Sequence, residues 1–238
     1  ELNVKGLLNI QFVLHDGTLY VIEANPRGSR TVPIVTKLTQ VPLVDLAVGV
    51  ALGESLREIT PELGLLSYEG PFGVKIPVFS TEKLPGIDFR LGPKMQSTGE
   101  VLGVSANFAG ALREALAALG TALPERGKVL FSVHDRAKSA CCATAALYAA
   151  AGWQIFATPG TAEHLGKWGI PVQPVPKGKE LLTRITAREW DLLVNIPGNQ
   201  QTALRDGFAL RRGAVEGGLL CFHSLECANA LGMTLGKS

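Results

Sequence analysis

Glu23, Asn25, Arg27 and Arg30 fall within one short stretch, VIEANPRGSRTVP (21–33), at the end of an apolar run. Side chains alternate across a strand, so a carboxylate and an amide two residues apart point the same way. Gln11 lies on the preceding apolar run and offers a second amide oxygen. Oxygen donors of this kind suit a Mg²⁺ that keeps water and nucleotide phosphates as its other ligands. Arg27 and Arg30 add planar forks for phosphate or carboxylate oxygens just beyond the metal. The combination suits phosphoryl handling beside a divalent cation. Spacing alone equally describes a solvated turn at a strand end.

A second constellation lies later in the chain. FSVHDRAKS brings Lys138 to a helix start, FATPGTAEHL does the same for Thr158 and Thr161, and NIPGNQQ ends an apolar run at Asn195. With Lys177 these residues are expected at the carboxyl ends of parallel strands, where open sheets bind ligands and helix N-termini favour anions. A small anionic effector is the expected ligand. Taken one at a time, the same residues read as helix caps and solvated lysines. The four histidines show no metal-ligand spacing, and Trp153, Trp168 and Trp190 read as packing residues, with a place bordering the ligand as the alternative for Trp168.

These residues need elements to hold them. Runs over 7–14 and 18–24 flank His15-Asp16-Gly17 and predict a hairpin. A three-residue loop with Gly17 left-handed would pair Leu14 with Thr18 and bring Gln11 to the face of Glu23, whereas a two-residue turn would not. Residues 27–36 read as a proline-bounded loop, 41–52 as a helix, 73–79 as a strand, GPKMQSTGEVLG (92–103) as a glycine-rich loop and 107–119 as a helix. GTALPERGK (120–128) is the linker candidate. Beyond it, strands over 129–133, 154–158, 192–196 and 219–222 alternate with helices over 139–151, 162–168, 179–188 and 224–231. That alternation predicts a parallel sheet covered on both faces. Two units are expected, residues 1–123 and residues 124–238.

Composition narrows the class. A net charge of +2 gives no bulk case for nucleic acid or membrane as partner, and no apolar run approaches the length of a bilayer span. Four cysteines, two adjacent at Cys141 and Cys142, form neither a disulfide framework nor a zinc pattern, and point to a reducing, cytoplasmic compartment. The chain opens at Glu1 directly into strand-like sequence and reads as a piece of a longer protein.

The stretch NIQFVLHDGTLYVIEANPRGSRTVPIVTK resembles the closing segment of an ATP-grasp domain, and in particular that of the carbamoyl-phosphate synthetase large-subunit family. The likeness continues through GPKMQSTGEVLG and, past the linker, through a domain similar to methylglyoxal synthase. It implies an α/β protein: the end of an ATP-grasp (α+β) domain, then a Rossmann-like, methylglyoxal-synthase-like allosteric domain with a central parallel sheet. The implied activity is ATP-dependent phosphorylation of carbamate to carbamoyl phosphate, serving pyrimidine and arginine biosynthesis. Gln11 and Glu23 would serve ATP and its Mg²⁺ or Mn²⁺, Asn25 a second metal, and Arg27 and Arg30 the carbamate or transferred phosphate. A small glutamine-amidotransferase subunit is the implied partner, and self-association is compatible with the family.

Two departures qualify the likeness. Gln96 stands where the family often has arginine. The stretches VPKGKELL and NQQTALRDGFALRR lack the catalytic carboxylate, in its Gly-Asp-Gln segment, and the histidine of methylglyoxal synthase. Enolisation needs a base within reach of the proton, so the second unit is expected to bind its ligand without transforming it. A freestanding enzyme of methylglyoxal-synthase type and a purely regulatory binding module are the alternatives. Without a nucleotide lid and its lysines, these residues alone are expected to make no carbamoyl phosphate.

Overall fold

The computed structural model describes residues 3–60, 64–79, 88, 96–198 and 201–236, the side chains of 201–206 excepted. Strands β1 (Asn9–His15) and β2 (Thr18–Asn25) form an antiparallel hairpin. Helices α1 (Thr31–Thr39), α2 (Leu43–Ala51) and the single turn α3 (Leu56–Ile59) follow. Strands β3 (Phe72–Val78) and β4 (Gly99–Ser105) pair antiparallel, and α4 (Phe108–Ala118) packs on them. The Asn107 side chain caps α4 by accepting from the Gly110 amide at 2.8 Å.

The remainder alternates as expected: β5 (Lys128–Val133), α5 (Lys138–Ala150), β6 (Gln154–Ala157), α6 (Pro159–Lys167), β7 (Gln173–Pro174), α7 (Lys179–Thr186), β8 (Leu192–Ile196), α8 (Gln201–Glu216), β9 (Leu220–Phe222) and α9 (Leu225–Gly232). The five strands form one sheet in the order β7-β6-β5-β8-β9, with every pairing parallel. This is the expected Rossmann-like α/β sheet.

Alternation along the strands builds two cores. Val129, Phe131 and Val133 of β5, with Leu192 and Val194 of β8, join residues of α4, α5, α6 and α9 on one face. Leu130 and Leu193 point the other way, onto α7 and α8. Tyr148 anchors the first core. Its ring stands edge-on to Phe131 and Trp153, and its hydroxyl donates to the Ala228 carbonyl at 2.7 Å. Leu112 and Leu116 of α4 belong to this cluster, and Val74 and Ile76 of β3 pack against it. The core therefore runs across the expected boundary between residues 123 and 124.

Several expectations give way. Residues 31–39 are helical rather than a loop, because Pro33 lies in the first turn, where an amide would have no intrahelical partner. The stretch 92–103 reads as a loop throughout in sequence, yet from Gly99 it is strand, drawn into β4 by its pairing with β3; residues 92–95 lie outside the described residues. Helix α8 has no counterpart in the sequence reading. Trp168 is 67% exposed, while Trp153 and Trp190 are buried. Among the described residues no single helix is long and apolar enough to cross a membrane.

Candidate functional site

The hairpin reaches its register by an unexpected route. Asp16 and Gly17 both adopt positive φ, 48° and 74°, and His15 pairs with Thr18. This is the two-residue turn, not the three-residue loop. Taken alone that register would place Gln11 opposite Ile22. A β-bulge between Gln11 and Phe12 absorbs one residue of β2, so that Phe12 pairs with Val21 but Gln11 with Glu23. Gln11 and Glu23 therefore face each other directly. The Asn25 Nδ2 donates to Glu23 Oε1 at 2.9 Å, which holds both side chains on one face.

The two arginines differ. Among the described residues Arg27 donates to the neighbouring Gly28 carbonyl, at 3.0 Å. Arg30 precedes α1 and donates from Nη1 to the Ser97 hydroxyl at 3.3 Å, tying the first helix to the lead-in of β4. It also lines a cavity of about 400 Å³ with Lys37 and Glu100, and Glu100 in turn pairs with Lys75 at 3.2 Å. Among the described residues no three His, Cys, Asp or Glu side chains gather as a metal cluster. The donors at the hairpin are instead one carboxylate and two amide oxygens.

In the second unit a cavity of about 460 Å³ opens at the carboxyl edge of the parallel sheet. Thr158, Lys177 and Asn195 line it. So do Ser132, His134, Lys179 and Gly207, which the sequence reading does not single out. His134 follows β5 directly, so the same strand-end rule would find it. Among the described lining residues there are two lysines and no carboxylate. That charge balance favours an anion.

Lys138 and Thr161 stand beside the cavity rather than in its lining. Lys138 is held by Asp135 at 2.7 Å and overhangs the start of α6, where a Cβ on Gly160 would lie 2.9 Å from its Nζ. Thr161 is buried and its hydroxyl bonds to Val133, donating to the carbonyl and accepting from the amide, at 3.2 Å each. It ties α6 to β5. Cys141 sits in the core, where burial pushes its thiol up to about 12, so it offers no thiolate at neutral pH.

Comparison with known proteins matches both units. The family model described as "Carbamoyl-phosphate synthase L chain, ATP binding domain" covers residues 1–59, and "MGS-like domain" covers residues 141–222. The carbamoyl phosphate synthase large chain of Thermomicrobium roseum is 43% identical over 97% of this chain. That of Lachnoclostridium phytofermentans is 41% identical over the same share. The chain spans 22% of the length of each of these curated relatives. Among solved structures, methylglyoxal synthase from Elizabethkingia anophelis is 17% identical, with a TM-score of 0.37, over 48% of this chain and 81% of that one. Across nearly its whole length, the chain matches a part of carbamoyl phosphate synthase large chains, with an MGS-like domain in its second unit.

Proposed function

We propose that the chain supplies the closing segment of a carbamate-phosphorylating ATP site and the effector-binding unit that regulates it. The observation that carries the first half is the bulged register, which sets Glu23 between Gln11 and Asn25. Asn25 uses its amide nitrogen on Glu23, which leaves its own oxygen and the second Glu23 oxygen available to cations. This donor set fits Mg²⁺ or Mn²⁺ at two sites beside ATP. A metal held there would neutralise phosphate charge during transfer to carbamate.

Arg27 and Arg30 would hold the carbamate and the transferred phosphoryl oxygens, with Arg30 braced by Ser97. Carbamate oxygen then attacks the γ-phosphorus and ADP leaves, giving carbamoyl phosphate. Leu14, Leu19, Val21 and Ile22 of the hairpin are all more than 60% exposed. Such an apolar surface supports a site completed by further protein of the large chain. A glutamine-amidotransferase small subunit as nitrogen donor and a cytoplasmic setting, in keeping with four free cysteines, belong to the same reading.

In the second unit, the cavity's volume suits a small organic ligand and its two described lining lysines an anion; binding without conversion is in keeping with a sequence that lacks the Gly-Asp-Gln carboxylate and the histidine of methylglyoxal synthase. A nucleoside monophosphate or a similar anion is the effector class. The catalytic half is tested in the full large chain. Glu23→Ala is expected to cut carbamoyl phosphate formation from carbamate and ATP by about a hundredfold or more. Near-normal activity would overturn the assignment.

A further inference from the structure

Arg211, on α8, is 1% exposed and heads the fully buried side chains by size. A guanidinium removed from water persists only when its charge and its donors are met. Its Nε and Nη2 donate to the two carboxylate oxygens of Asp88 at 2.8 and 2.6 Å. The third contact runs from Nη1 to Asn195 Oδ1, at 2.6 Å. Asn195 is 3% exposed and lines the cavity. Arginine can only donate, so this bond fixes the amide oxygen of Asn195 toward Arg211 and leaves its NH₂ for Ser132 and the cavity.

Gly207 completes the geometry. It lines the same cavity, and a Cβ there would lie 2.9 Å from Arg211 Nη1 and 3.2 Å from Asn195 Oδ1. A full positive charge thus stands directly behind the cavity wall. The carboxylate that neutralises it comes from the other unit, on the chain between β3 and β4, 123 residues away in sequence.

We infer that Arg211 is a positioning residue for the anion site, and that Asp88 sets the site's affinity by damping the Arg211 charge. The inference rests on the anion-site reading above. Without the damping carboxylate, the cavity would be more positive and hold anions harder. Coupling is reciprocal, so an anion drawing on Arg211 must loosen its hold on Asp88. Occupancy of the cavity is thereby felt in the first unit.

The test is titration of the whole chain with inorganic phosphate, followed by NMR. Asp88→Asn preserves shape and removes one charge, and is expected to tighten binding about fivefold. A carboxylate that merely holds the fold predicts the opposite sign, so unchanged or weaker binding by folded Asp88→Asn overturns the inference. Arg211→Lys replaces three separated guanidinium nitrogens by a single one and loses the fork that spans Asp88 and Asn195, and is expected to weaken binding about tenfold; unchanged binding also counts against it. Should Asp88→Asn fail to fold, the wild-type Arg211 Nε–H resonance decides. It is expected to move on adding phosphate, and a resonance unmoved at saturation sinks the proposal. Wild-type protein that binds no phosphate overturns the anion-site reading itself, and this inference with it.

Discussion

Lys138 and Lys177 carry the same charge in different company. Lys177 lines the cavity. Lys138 is already engaged by Asp135, whose carboxyl is held below its ordinary range by the hydrogen bond and charge of that lysine. The sign follows from the depressed carboxyl: the pair is intact above the free-aspartate range and is lost as pH falls through the lowered value. At neutral pH, an anion must share Lys138 with Asp135. Charge-assisted hydrogen bonds contribute about 1.5–3 kcal/mol. Lys177→Ala is therefore expected to weaken nucleoside monophosphate binding about tenfold or more, and Lys138→Ala by less. Calorimetry on the two variants checks the order; a larger loss for Lys138→Ala would reverse the roles of the two lysines.

At the scale of elements, the tightest joint is between β4 and α4. A Cβ on Gly103 would overlap the Ala111 carbonyl oxygen and the Ala115 amide, and both are backbone atoms that cannot swing aside. Gly103→Ala is expected to cost about 2–4 kcal/mol of stability, read as a lower urea midpoint. Equal midpoints would show that the helix can shift away freely. This joint is not legible in the sequence, since a glycine within GPKMQSTGEVLG reads locally as loop and only its pairing with β3 makes it strand.

The same limit explains the other misses. Pro33 looks like a loop marker until it is seen to occupy a first helical turn. The Asp16-Gly17 turn reads one residue too long because the compensating bulge leaves no local mark on β1 or β2. What is legible is whatever repeats: period-two apolar strands, helices between them, and polar residues at the strand ends. Arg211 escapes a reading by pattern because its partner Asp88 is remote in sequence, and no spacing rule joins them.

For the whole molecule, the shared core decides how it can be divided. Leu112 and Leu116 lie in one buried cluster with Val129, Phe131 and Ile155. A cut after residue 123 strips that face and also leaves Arg211 without Asp88, a buried charge unmatched. Residues 124–238 alone are therefore expected to melt about 10 °C or more below residues 70–238, by circular dichroism, and to bind apolar dyes more strongly. Matching melting curves would show that the sequence boundary is also the mechanical one. The shared core also bears on how such proteins exchange parts. Recombination that trades one effector response for another would have to break the chain ahead of β3. The second unit would then be inherited with the strand pair and helix beneath it, and Ser97, which meets Arg30 ahead of the first helix, would travel as part of the same cargo.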